Sequence, residues 1–298
     1  MTEAGQPIET VLVPTDGSDG ALAGAKRGVD LAVAVEADIH VLSVIETAEF
    51  EETVDEEQRA AIEADAETAV EAIRSMIMAR DGDIEVTTAT ERGKPFRSIN
   101  TYVDDVGIDV IAMGTKGRTG LERVVIGSVT ENVLRTVDIP VLTVPMDAHD
   151  VALTPETAEN VLLPTDGSRG AAIAVDWGTM LADTFDAMVH TVYSADTSRF
   201  SRHTDPGEIL ATLEREGQDA IEEVRERARE TGVSLSGTIA SGPPARVILD
   251  YAADREIAFI VIGTHGRSGI ERHFIGSVTE TVVRNADIPV VCVPMSAD

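Results

Sequence analysis

Apolar residues fall along the chain in two alternating rhythms. Short runs such as TVLVP (10–14), DIHVLSVIE (38–46), DVIAM (109–113) and VLTV (141–144) are β-branched and apolar, which predicts strands. Between them the period lengthens. From Asp55 to Arg80 apolar residues recur at Ile62, Ala66, Val70, Ile73 and Ile77, one face of a long amphipathic helix. Helical patterns also run from Ser18 to about Val35 and from Ser128 to Arg135, and Gly93-Lys94-Pro95 reads as a turn with proline near a helix start. IEVTTAT (84–90) alternates apolar with polar positions, as a strand on the outer side of a sheet does.

The whole pattern then recurs. VLVPTDGS at 11–18 returns as VLLPTDGS at 161–168, GTKGRTGLERVVIGSVTE at 114–131 as GTHGRSGIERHFIGSVTE at 263–280, and DIPV at 138–141 again at 287–290. A period near 150 residues is a domain duplication, too long for a solenoid repeat. The boundary is expected in the polar stretch 146–160, giving domains 1–150 and 151–298, the second with its long helix from about Pro206 to Thr231. Strands alternating with helices imply parallel strands joined by right-handed crossovers, so each copy is an α/β, doubly wound, Rossmann-like domain. In such sheets ligands lie beyond the C-terminal ends of the strands, where the winding reverses. Pro14-Thr15-Asp16 follows the first strand and Gly114 the fourth, which brings both motifs to one rim.

Composition changes this picture mainly by exclusion. With 53 acidic against 24 basic residues the net charge is −29, and only Lys26, Lys94 and Lys116 are lysines. Such a surface repels nucleic acid and anionic membranes, and it resembles the composition of proteins from salt-loving organisms, where screening removes the self-repulsion. No apolar run approaches the roughly 18 residues that span a bilayer. The single cysteine, Cys292, has no partner for an internal disulfide, and MTEAGQPIET carries no secretory signal, so the expected compartment is the cytoplasm.

The candidate chemistry lies in the glycine loop after the fourth strand, Gly114-x2-Gly117-x9-Gly127-Ser128, repeated as Gly263-x2-Gly266-x9-Gly276-Ser277. Glycine tolerates positive φ and lets backbone N–H groups approach an anion, and the helix opening at Ser128 offers unpaired N–H groups with partial positive charge. Ser128 and Thr130 are expected to add hydroxyl donors, completing a phosphate cradle. The alternative is that the glycines only shape a turn and Ser128 caps a helix. Three features favour the cradle: the pattern is complete twice, it stands between an apolar strand and a helix each time, and its charge opposes that of the chain. Residues 114–128 carry +2 (Lys116, Arg118 and Arg123 against Glu122), and 263–277 carry +1 (Arg267 and Arg272 against Glu271). Asp16 and Asp166 are either helix caps, with Ser18 and Ser168 as rivals, or contacts to a base or ribose. His40 and His190 hold matching strand positions and read as packing or hydrogen-bonding residues.

PTDGS after the first strand, combined with G-x2-G-x9-G-S-V-T-E after the fourth, resembles the universal stress protein family in its ATP-binding branch, over nearly the whole chain. The resemblance implies a five-stranded parallel sheet in each domain. It also implies ATP, or another adenine nucleotide, as ligand, with Mg²⁺ or Mn²⁺. In the first copy it implies a base site of Pro14, Thr15, Asp16, Val44 and Met113. Phosphate and ribose contacts would come from Gly114, Lys116, Gly117, Gly127, Ser128, Val129 and Thr130. The second copy carries Pro164, Thr165, Asp166 and Ile262, then Gly263, His265, Gly266, Gly276, Ser277, Val278 and Thr279. Two departures stand out: position 116 is lysine where the second copy carries His265, the histidine commoner in the family, and Ser194 stands where Val44 does, so the first copy is expected to bind ATP more tightly.

No G-x4-G-K-[ST], nucleophile–base pair or metal-ligand cluster is found in the sequence. The expected role is therefore a nucleotide-binding stress-response or signalling module without a dedicated catalytic apparatus. A slow ATPase or nucleotide-dependent switch is the alternative, and a nucleotide-free, chaperone-like scaffold a third. The last strands, 141–144 and 290–293, are apolar sheet edges expected to pair within one chain, with a further homodimer as an open step.

Overall fold

The computed structural model describes residues 7–46, 55–81, 83–117, 126–150, 152–197, 206–266 and 275–295. The chain divides between Leu153 and Thr154 into two compact units. In the first, β1 (Thr10–Thr15), β2 (Asp38–Glu46), β3 (Val86–Gly93), β4 (Val110–Gly114) and β5 (Val141–Val144) alternate with α1 (Asp19–Val35), α2 (Glu56–Arg80), α3 (Pro95–Val106) and α4 (Ser128–Thr136). The strands lie in the order β3-β2-β1-β4-β5, all parallel. In the second unit β6 (Asn160–Pro164), β7 (Met188–Ala195), β8 (Leu235–Ser241), β9 (Phe259–Gly263) and β10 (Val290–Val293) repeat this. Their helices are α5 (Arg169–Thr184), α6 (Pro206–Thr231), α7 (Pro244–Asp254) and α8 (Ser277–Asn285), and the strand order is β8-β7-β6-β9-β10. Each unit is thus an α/β domain with a five-stranded parallel sheet. Among the described residues no helix is long and apolar enough to cross a membrane.

The central strands are buried on both faces, which is why they read as unbroken apolar runs. Leu12, Ile39, Leu42 and Ile111 are fully buried in the first sheet, and Leu162, Leu163, Phe259 and Ile260 in the second. The edge strand β3 is mostly exposed and begins two residues later than its alternation suggests, running on to Gly93. Its register explains the shift: β2 is nine residues long, and Ile39 through Glu46 pair in step with Val86 through Gly93.

In each unit the winding reverses between the first and fourth strands. β1 pairs with β2 on one side and β4 on the other, and β6 likewise with β7 and β9. Crevices therefore open at the carboxyl ends of β1 with β4 and of β6 with β9.

The units differ sharply in the third turn of their first helix. Arg27 and Asp30 of α1 are buried as an ion pair (3.0 Å), Arg80 at the end of α2 also meets Asp30, and the Leu153 N–H donates to the same carboxylate (2.9 Å). Burial pushes the Arg27 guanidinium below its ordinary pKa, with the Asp30 charge acting against that shift. In α5 the corresponding positions are Trp177, which is buried, and Met180.

Candidate functional site

Both crevices are cavities, of about 350 Å³ in the first unit and about 310 Å³ in the second. The β1 side is built by local hydrogen bonds. Thr15 Oγ1 accepts from the Gly17 N–H (3.2 Å), and Asp16 Oδ1 accepts from both the N–H (3.0 Å) and the hydroxyl (2.6 Å) of Ser18. Ser18 Oγ in turn accepts from the Ala21 N–H and caps α1. The second unit repeats the design with Thr165, Asp166 and Ser168. Serine, then, is the cap in both copies, and the aspartate lines the cavity beside it.

On the β4 side the glycines serve close approach rather than unusual backbone angles; none of Gly114, Gly117, Gly127 or their counterparts has positive φ. A Cβ on Gly114 would lie 2.0 Å from the Gly20 carbonyl oxygen of α1, and one on Gly263 2.6 Å from that of Gly170. These two glycines are therefore required by helix packing. A Cβ on Gly117 would lie 2.7 Å from Asp16 Oδ2, and one on Gly266 2.8 Å from Asp166 Oδ2, so the two halves of each rim touch here.

The N–H of Gly127 is spent on the Thr115 carbonyl (2.7 Å), and that of Gly276 on Thr264 (2.7 Å). Beyond them α4 and α8 begin without any side-chain cap. Their first N–H groups, on Ser128, Val129 and Thr130 and on Ser277, Val278 and Thr279, have no acceptor within their own helix and border the cavities. One expected donor is withdrawn: the buried Thr130 hydroxyl donates to the Gly114 carbonyl (2.9 Å), and that of Thr279 to Gly263 (2.7 Å). These threonines pin the helix to the end of the strand, so what they offer an anion is backbone.

Every residue that the family resemblance assigned to a base or phosphate site lines one of these two cavities. Pro14, Val44, Met113 and Lys116 join the rim residues of the first cavity; Pro164, Ile262 and His265 do so in the second. Ser194 also lines the second cavity, its hydroxyl donating to the Gly242 carbonyl (2.6 Å). His265 Nδ1 is 2.9 Å from Thr264 Oγ1. The charges counted at Arg118, Glu122, Arg123, Arg267, Glu271 and Arg272 lie outside the described residues.

Sequence reasoning missed Glu46, Ile62 and Ala66 in the first cavity, and Asp196 and Leu213 in the second. Ile62 and Ala66 were visible only as members of an apolar helix face. Glu46 and Asp196 could have been found as the acidic residues closing the second strand of each copy. His40 and His190 are far from this chemistry: each Nδ1 meets a tyrosine hydroxyl at 3.0 Å, Tyr102 and Tyr251. His190 Nε2 also meets Asn160 Oδ1 (3.1 Å), so it carries the proton and Nδ1 accepts from Tyr251. Among the described residues no group of three or more His, Cys, Asp or Glu is placed to hold a metal.

Comparison with known proteins agrees with this layout. Residues 7–145 and 157–294 each match the model of the universal stress protein family. A universal stress protein of Methanocaldococcus jannaschii is 36% identical over 138 residues, 45% of this chain and 81% of that protein. One from Bacillus subtilis is 27% identical over 141 residues, 41% of this chain and 95% of its own length. The crystal structure of a universal stress protein from Archaeoglobus fulgidus superposes with a TM-score of 0.72 at 21% identity, covering 99% of this chain and 98% of that one, a likeness of fold.

Proposed function

The chain belongs to the universal stress protein family, and on that premise we propose that each of its two domains binds an adenine nucleotide, ATP foremost, as part of a stress-response or signalling module. The observation that carries this reading is the uncapped start of α4 and α8 at the edge of a cavity, in the crevice where the winding reverses. A helix N-terminus with unpaired N–H groups favours a phosphate. The apolar side chains of Val44, Met113 and Ile62 also line the first cavity and suit a flat base. Cavities of about 300–1,000 Å³ are usual for small ligands.

Mg²⁺ or Mn²⁺ would enter with the phosphates, since Asp16 and Asp166 already hold a serine through one oxygen. Its contribution would be to neutralise charge along the phosphate chain. In this reading the residues bind and orient the nucleotide; among the described residues of the two linings no nucleophile–base pair is placed, and turnover is expected to be slow.

Protein purified without added nucleotide, denatured, and its supernatant analysed for ATP, ADP, AMP and metal tests the reading. Co-purifying or titratable adenine nucleotide supports it. A chain that neither carries nor takes up nucleotide at millimolar concentration is a scaffold instead. Hydrolysis faster than about one turnover per minute, still slow beside ordinary enzymes, would establish an ATPase.

A further inference from the structure

We infer that Tyr193 limits base size in the second cavity: it excludes nucleotides whose base carries a bulky substituent, whereas the first cavity, with Ser43 at that position, admits them. This rests on the nucleotide-binding reading above and names what each site would select.

The sheet order fixes which end of a nucleotide this position meets. The uncapped α4 starts at the end of β4, where the Thr130 hydroxyl holds the Gly114 carbonyl, and β1 stands between β4 and β2. Neighbouring strands lie about 4.8 Å apart, so β2 is about 10 Å from the phosphate end, far enough for a ribose to intervene. The second unit has the same order, with β6 between β9 and β7.

Ser43 precedes Val44 in β2 as Tyr193 precedes Ser194 in β7, and both line their cavities. Ser43 is short, and Ile62 and Ala66 of α2 line the cavity with it. The Tyr193 ring instead fills the space up to α6. A Cβ on Gly217 would lie 2.7 Å from its Cδ1 and 3.0 Å from its Cγ, and its hydroxyl donates to Glu216 (3.3 Å). Ala220, Ile221 and Ile239 pack with it. The ring therefore has no room to withdraw from the cavity toward the helix.

Gly217 is the counterpart of Ala66. The buried positions Ala66, Val70 and Ile77 of α2 recur with the same spacing in α6 as Gly217, Ile221 and Ala228. The two positions thus differ as a matched pair, serine with alanine in one domain and tyrosine with glycine in the other. An alanine at 217 would meet the ring, and glycine inside a helix is otherwise disfavoured. The cavity volumes follow the exchange, about 350 Å³ with serine and about 310 Å³ with tyrosine.

The test is calorimetric titration of the full chain with ATP and with ATP analogues bearing a phenyl-sized group at N6, C2 or C8 of the adenine. The quantity read is the ratio of analogue to ATP affinity at each site. In the wild type at least one analogue should bind one site as ATP does and the other at least about tenfold more weakly. Tyr193→Ser should raise the weak ratio to that of the first site. Ser43→Tyr combined with Ala66→Gly should lower the first ratio to that of the second. This combined variant guards against misfolding, since it introduces a pair that already packs in the second domain. Analogues whose ratios are equal at the two wild-type sites, or ratios unmoved by the substitutions, would overturn the inference and leave nucleotide binding intact. Failure of ATP itself to bind would overturn both together.

Discussion

Late in their first helices the two domains meet the same packing demand with opposite chemistry. In α1 the buried positions are Arg27 and Asp30, joined by Arg80 from α2 and by the backbone of Leu153. The matching positions of α5 hold Trp177, which is buried, and Met180, which is half-buried. A buried ion cluster is costly to assemble and more costly to leave incomplete, whereas an apolar pair is stabilised by area alone. The first domain alone must also hold the segment that leads into the second, and Asp30 does so through the Leu153 N–H. The rims of the cavities, by contrast, are nearly superposable in their hydrogen bonds. Duplication kept the backbone of the site while the supports and the charges around it diverged.

The comparison is broken hardest at Asp30. Asp30→Asn removes the carboxylate charge facing the buried Arg27 guanidinium, and loss of one partner of such a pair costs about 3–5 kcal/mol. Denaturant unfolding followed by circular dichroism should show the loss in the first domain. Trp177, the single tryptophan, should report an unchanged midpoint for the second; equal movement of both signals would show that the domains unfold as one.

A smaller effect is expected from adding a methyl group where β4 and β9 end. Gly114→Ala meets the Gly20 carbonyl oxygen at 2.0 Å and Gly263→Ala meets Gly170 at 2.6 Å. Backbone cannot yield as a side chain does, so overpacking of about 1–3 kcal/mol is expected, with position 114 the worse. Comparing the two unfolding midpoints checks the order, and equal costs would mean that the helices are free to shift outward.

The smallest effect separates the two histidines. Burial holds the His190 imidazole below its ordinary pKa of 6.5, assisted by the Arg255 charge. Burial also lowers His40, but Asp38 and Glu85 oppose the shift. A depressed histidine favours the neutral form in the folded state. Its stabilisation is therefore complete above about pH 6.5 and is lost as the pH falls through that value toward the folded pKa. Melting temperature should drop on acidification across this window, and His190→Gln should flatten the drop more than His40→Gln. An unchanged slope in His190→Gln would remove that residue from the account.

Much of the layout was legible before any coordinates. The strands TVLVP and VLTV, the long helix from Asp55 and the proline-led helix at Pro95 announced themselves through local periodicity and turn chemistry. So did the repeat, and with it the two sets of rim residues, because a motif seen twice at the same place in a strand–helix alternation reveals its own context. The edge strand β3 was misplaced by two residues because its register belongs to β2, more than forty residues earlier.

What only the folded chain decided are relations between residues far apart in sequence. Gly114 reads as a phosphate-loop glycine until Gly20 is found against it, and Thr130 as a donor until its hydroxyl is seen on the Gly114 carbonyl. Ile62, Ala66 and Glu46 could be assigned to a helix face or a strand end, yet not to a cavity, and Asp30 gave no hint of Leu153, 123 residues away. Periodicity and capping are written into neighbouring residues because they arise from neighbouring dihedral angles. Close approach and the pairing of buried charge arise from where two distant segments meet, and one chain's sequence does not record that meeting.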